Sequence, residues 1–280
     1  MRLKPGLHKQ IETRVVFFLV AAVTCFFMIY TFHRRPVDGI PTKATWGWKT
    51  TEPIPDPSAP RPSFRDLALQ YGSHKATIHK HHFMYEKYLP NIRDRPVKLL
   101  EIGLGCESYS RSPPGDSSGA GYDLTGVGAS YRTFVAYFPR LSLTYIERDS
   151  DCARDFFRTH DKAAVFVGDQ GDQGFLDRFS VQSTVHGLFD VVIDDGAGTD
   201  ALQEQSLRDL WRVVRPGGVY FVEGVRSRND RSAVGEGQRP FGEFIQDLLW
   251  EDVMLPDGEV RSIDCMEGIC AFFKKEEGMP

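Results

Sequence analysis

The segment DVVIDDGAGTD, Asp190 to Asp200, joins an apolar run (Val191, Val192, Ile193) to two adjacent carboxylates and a glycine. A buried parallel strand that ends in acids delivers them to the rim of an α/β sheet, where ligands bind beyond the carboxyl ends of the strands. The pattern recurs: Glu101 ends VKLLEIG, Glu147 ends LSLTYIE and Asp169 ends AAVFVGD. One such acid is an ordinary strand-end charge. Glu101, Glu147, Asp169 and Asp194 together describe an acidic rim able to hold a ribose, an adenine edge and a positive charge.

The residues divide that work. Glu147 can accept from both ribose hydroxyls, and Asp169 from an adenine amino group. In EIGLGC, Gly103 and Gly105 let the backbone approach a ligand that larger side chains would block. A dinucleotide pyrophosphate fits poorly, because Ser108 stands where the fingerprint has its third glycine and Glu101 would repel the anion. Glu101 suits a cationic ligand. A nicotinamide-dependent oxidoreductase is therefore the weakest of the readings kept open.

Positioning these acids requires a sheet. Ser63 can cap a helix running through Tyr71, and a second helix is expected over Ile78–Leu89. From Val97 onward, five apolar runs alternate with helical segments, and EVRSIDC and ICAFFKK form a final antiparallel pair. The expected fold is α/β: a Rossmann-like, doubly wound sheet, mainly parallel, with a C-terminal antiparallel hairpin. Cys265 and Cys270 flank the hairpin connection, where a disulfide and two buried thiols are both open readings.

The rest of the chain sets the context. A formal charge of −4 over 280 residues gives no basic field for nucleic acid. Residues 15–32 are uncharged and apolar, enough for a transmembrane signal anchor, with a cleaved signal peptide or a core helix as alternatives. The basic excess before the run keeps residues 1–14 cytoplasmic and sends the remainder to the lumen of the ER or Golgi, or to another extracytoplasmic space. Residues 33–62 carry seven prolines and read as an extended stem. Residues 63–280 form the domain. Four histidines, His74, His79, His81 and His82, precede the first strand. His79 and His82 would share a helix face there.

YGSHK (Tyr71–Lys75), HFMYEKYL, LEIGLG, IDDG and RPGGVYFVE, in that order, resemble the class I S-adenosylmethionine-dependent methyltransferases, and within them the macrolide-sugar O-methyltransferases of the mycinamicin and macrocin type with related fungal proteins. The resemblance implies methyl transfer from S-adenosylmethionine to a hydroxyl of a sugar or small metabolite, with Tyr71 and Lys75 helping to close the cofactor site. It implies a magnesium ion on strand-end acids, at the matching positions Asp194, Asp195 and Glu223. Hard oxygen ligands suit that ion and would orient vicinal hydroxyls. Capping of the following helix is the other reading of Asp195. Two positions depart from the group. Gly198 replaces a histidine expected as general base, and Gly224 replaces an acid. Asp195 and His79 are the candidates left for catalysis. A methyltransferase fold kept for binding or scaffolding is the second reading. The polar loop 226–240 is a candidate substrate lid, with a plain connection as its alternative.

Overall fold

The computed structural model describes residues 61–106, 127–160, 162–196, 198–226, 234, 238–255 and 257–278. The segment 1–14, the apolar run 15–32 and residues 33–60 of the stem lie outside the described residues, as do Ser108 and most of the loop 226–240. Among the described residues, no helix is long and apolar enough to cross a membrane.

The domain opens with three short helices. α1 (Phe64–Gln70) starts at Ser63, whose hydroxyl accepts from the Asp66 amide while Asp66 accepts from the Ser63 amide. This reciprocal pairing satisfies two otherwise orphaned donors. α2 (His74–Thr77) and α3 (His82–Tyr88) follow. The single helix expected over Ile78–Leu89 therefore begins only at His82. Lys80, a non-glycine at φ +57°, turns the chain between α2 and α3, and the last turn tightens into a 3₁₀ segment, Leu89–Ile92.

The alternating part then builds β1 (Val97–Ile102), α4 (Ala129–Tyr137), β2 (Leu141–Glu147), α5 (Ser150–Thr159), β3 (Ala163–Val167), α6 (Gln173–Ser183), β4 (Phe189–Asp194), α7 (Asp200–Leu210) and β5 (Val214–Glu223). α8 (Phe241–Leu248) and the hairpin β6 (Val260–Met266) and β7 (Ile269–Lys274) complete it. Spatial order is β3-β2-β1-β4-β5-β7-β6, parallel from β3 to β5 and antiparallel at β7 and β6. The expected mixed sheet is observed. One boundary differs: Pro216-Gly217-Gly218 lies inside β5 as an irregularity, between Val214 opposite Phe189 and Val219 opposite Val191.

Strand side chains alternate between two faces. On one face Leu99, Val191, Ile193 and Phe221 pack with α1, α3, α4 and α5 through residues such as Phe64, Tyr85, Phe134 and Phe156. On the other, Leu100, Val192, Tyr220 and Val222 pack with α6, α7 and α8 through Phe175, Leu207 and Phe241. The acids at the strand ends inherit these faces. Glu101, Glu147, Asp195 and Glu223 continue the first set; Asp194 continues the second.

Among the described residues there are two disulfides. Cys265–Cys270 closes the hairpin. Cys106–Cys152, not foreseen, ties the glycine turn after β1 to the first turn of α5 across 46 positions of sequence.

Candidate active site

Register brings the site together. Ile102 lies beside Ile146 on β2 and Asp194 on β4, and Asp194 lies beside Val222 on β5. The next residues, Gly103, Glu147, Asp195 and Glu223, therefore stand at one level across four strands. Gly103 takes φ +93°, and a Cβ there would meet the Asp195 carbonyl oxygen at 2.9 Å. Only glycine lets the turn after β1 lie this close to the turn after β4. The Gly103 amide donates to Ile146 O at 2.9 Å and the Asp195 amide to Ile102 O at 3.1 Å, so the turns are bonded to their neighbouring strands.

On the β2 side, Glu147 accepts from the Leu104 amide at 2.9 Å and the Asp149 amide at 2.8 Å. Two backbone donors fix the carboxylate, and each oxygen keeps acceptor capacity for a hydroxyl. Asp169 beyond β3 is half exposed and takes the Gly171 amide at 2.8 Å. Gly105, at φ +77°, has open space where a side chain would project.

On the β5 side the acids converge on one cation. The Lys75 ammonium, almost fully buried, lies 2.7 Å from Glu223 Oε1, 2.8 Å from Asp195 Oδ2 and 3.2 Å from Glu101 Oε1. Lys75 reaches this point from α2, whose neighbour Ala76 is also buried. Tyr85 donates to Glu223 Oε1, and His81 Nδ1 lies 2.9 Å from Glu223 Oε2. Ser130 donates to both oxygens of Glu101, at 2.6 and 2.8 Å.

The electrostatics follow. Burial opposes charge on Lys75, but Asp195 and Glu223 overcome it and hold the ammonium well above its ordinary range. Burial likewise opposes ionisation of Glu223, and Lys75 and His81 reverse that, so its carboxyl is lowered. Burial and the charge of Glu223 push Asp195 up to about 8 against the pull of Lys75. The Asp195 side chain nevertheless keeps 45% of its surface accessible. It is reachable from solvent. It is the one accessible carboxylate among the three around Lys75.

Asp194 has a different fate. It is fully buried on the opposite face, with Gln170 Nε2 at 3.2 Å, the Gly196 amide at 3.3 Å and Tyr220 OH at 3.4 Å. Burial raises its carboxyl to about 6. Asp194, expected to meet the cofactor and to join Asp195 and Glu223 around a metal, has its carboxylate on the face opposite to theirs, because adjacent residues at a strand end point to opposite faces. Among the described residues no three histidine, cysteine or acidic side chains are arranged to hold a metal ion. The acids that do converge surround Lys75, so the residues as arranged do not fit a magnesium ion.

The remaining expectations are placed as follows. Tyr71 is half-buried and packs against the apolar core below the site. Lys75 contacts the acids, and Glu101 is fully buried beneath it. His79 is exposed and stacks on His81 with ring centroids 5.2 Å apart; burial of part of the ring and the neighbouring His81 lower its pKa. His79 and His82 do not share a helix, since α3 begins at His82. Asp195 does not cap α7; the Thr199 hydroxyl does, accepting from the Leu202 amide at 3.4 Å. Gly198 has open space at its missing side chain, and Gly224 takes φ +71°. His81, Tyr85 and Ser130 were not foreseen. HKHH signalled histidines without saying which would turn inward.

No family model matches the sequence. It is 28% identical over 205 residues to the 8-demethyl-8-(2-methoxy-alpha-L-rhamnosyl)-tetracenomycin-C 3'-O-methyltransferase of Streptomyces olivaceus, covering 68% of this chain and 46% of the relative. It is 33% identical to an L-olivosyl-oleandolide 3-O-methyltransferase of Streptomyces antibioticus, covering 58% and 37%. Mycinamicin VI 2''-O-methyltransferase of Micromonospora griseorubida is 30% identical, covering 58% and 36%. The chain thus spans less than half the length of these relatives. Among solved structures, a mycinamycin-pathway methyltransferase in complex with Mg, SAH and mycinamycin VI superposes with a TM-score of 0.60 at 23% identity, covering 79% of this chain and 57% of that one.

Proposed function

We propose a sugar O-methyltransferase function for this chain, whose domain groups by sequence similarity and fold with the class I S-adenosylmethionine-dependent methyltransferases of the macrolide-sugar type. The observation that carries the proposal is register. Gly103 lies between Glu147 and Asp195, so a ribose acceptor and an accessible carboxylate flank one close-approach turn.

Bound S-adenosylmethionine would supply a methyl carbon on a sulfonium; an oxygen lone pair would bond to that carbon as the carbon–sulfur electron pair returns to sulfur, which leaves as a thioether. Glu147 would hold the ribose hydroxyls and Asp169 the adenine edge. Glu101, Asp195 and Glu223 set three carboxylates against one ammonium, leaving an excess of negative charge that favours a sulfonium nearby. Asp195, ionised, would take the proton of the sugar hydroxyl, and Lys75 would hold that carboxylate in position. No step is assigned to a metal. The substrate would be a small glycoside.

The test is calorimetric titration of the full-length chain with S-adenosylmethionine, followed by transfer of labelled methyl to a panel of glycosides. A folded protein with no cofactor binding would sink the reading. A second reading, a methyltransferase fold retained for binding, is favoured by glycine at 198 and 224; binding without transfer to any glycoside would support it, and turnover would remove it. The proposal extends to location. The apolar run 15–32 would anchor the chain and the domain would lie in the lumen, which two disulfides support, because such bonds persist in oxidising compartments. Protease protection in intact microsomes tests that side.

A further inference from the structure

A mycinamycin-pathway methyltransferase of similar fold was solved with Mg, yet here the converging acids already enclose a cation. Glu223 bonds Lys75 and Tyr85 through Oε1 and meets His81 through Oε2. Glu101 takes the Ser130 hydroxyl on both oxygens and lies against Lys75. A magnesium ion requires near-octahedral oxygen ligands at roughly 2.0–2.1 Å. An ammonium 2.7–3.2 Å from all three carboxylates fills the volume such an ion would need. The two cations repel, and both would be held by the same three carboxyl groups.

We propose that the Lys75 ammonium is the resident cation of this pocket, and that a divalent ion binds the Glu101–Asp195–Glu223 group only in competition with it. Lys75 is thereby a positioning residue. It holds the accessible Asp195 in place and keeps Glu223 ionised in a buried place. Its attachment to α2 makes the charge covalent, so it cannot be chelated. The inference concerns the cation alone and stands or falls independently of methyl transfer.

The experiment measures Mn²⁺ binding by electron paramagnetic resonance, and melting temperature in EDTA or excess Mg²⁺, for the full-length chain and its Lys75→Met variant. The wild type should show no stoichiometric Mn²⁺ binding at micromolar concentrations, and its melting temperature should be the same in EDTA and Mg²⁺. Lys75→Met should melt lower in EDTA, bind Mn²⁺ at least about tenfold more tightly than wild type and recover part of its melting temperature in Mg²⁺. If the variant does not fold, the wild-type titration decides alone: absence of tight Mn²⁺ binding supports the proposal. Stoichiometric micromolar binding to the wild type overturns it, as does a folded Lys75→Met with unchanged or weaker affinity.

Discussion

Asp194 and Asp195 are neighbours in sequence and belong to different parts of the molecule. Asp194 is enclosed on the face of α6, α7 and α8, where Gln170 and Tyr220 meet its carboxylate and no cation among the described residues pairs with it. Asp195 faces α2, lies 2.8 Å from the Lys75 ammonium and remains 45% accessible. Both carboxyls are raised, to about 6 and about 8, and burial is the first cause of each. The second cause separates them. At Asp194 it is neutral hydrogen-bond donors, which favour the ionised form; at Asp195 it is the charge of Glu223, which disfavours it. The first is a structural carboxylate held in a polar niche. The second belongs to a charged network and is open to solvent.

Substitution should separate the two most strongly in turnover. Asp195→Asn removes the proton acceptor and should lower methyl transfer by about 10²–10⁴-fold, with cofactor affinity measured by calorimetry largely retained. In the unsubstituted protein, transfer should rise with pH toward about 8, because Asp195 accepts a proton only when ionised. A flat profile, or an Asn variant with full activity, would deny Asp195 this role.

Asp194→Asn should act on stability. The folded carboxyl titrates near 6 against an ordinary 3.8. Between these values the folded state binds more protons than the unfolded state, so the wild type loses stability as pH rises from about 4 to about 6. The ionised buried group then costs roughly 3 kcal/mol at neutral pH. Asparagine carries no such charge. The stability of Asp194→Asn relative to wild type should therefore improve by up to that amount between pH 4 and 7, read from urea unfolding. A constant difference would mean that Asp194 titrates alike in both states.

Smaller effects sharpen the open side of the comparison. A Cβ added at Gly198 meets no atom within 4 Å, so a side chain can start there without a clash in Gly198→His. If a base is what the stretch lacks, transfer should increase by about tenfold; no increase would place the deficit elsewhere. His79→Ala removes an exposed ring stacked on His81. Its effect on transfer should be under about threefold, as for most surface substitutions. A larger loss with a displaced pH profile would make His79 a participant in the chemistry.

Much of the fold was legible in sequence. Alternating apolar runs and amphipathic segments described a mainly parallel sheet, and the last two runs described its antiparallel end. The strand-end positions of Glu101, Glu147, Asp169 and Glu223 were visible because buried strands read as continuous apolar runs stopped by a charge. The side assignment of Asp194 was also available from the two-residue period of a strand, since Ile193 and Asp195 share one face and Val192 and Asp194 the other. The missed residues carried no comparable signal. Tyr85 and His81 reach Glu223 from 138 and 142 positions away in sequence, and Cys106 and Cys152 are neither adjacent nor in a recognisable spacing.

The sequence by itself determined the local periods: which segments become strands, where each ends, and which acids stand at the ends. Those properties depend on neighbours along the chain. Only the tertiary structure decided that three of the acids share one ammonium and that a fourth turns away from them. Charges interact through space, and the α2 segment carrying Lys75 lies 120 positions from Asp195 and 148 from Glu223 before folding joins them.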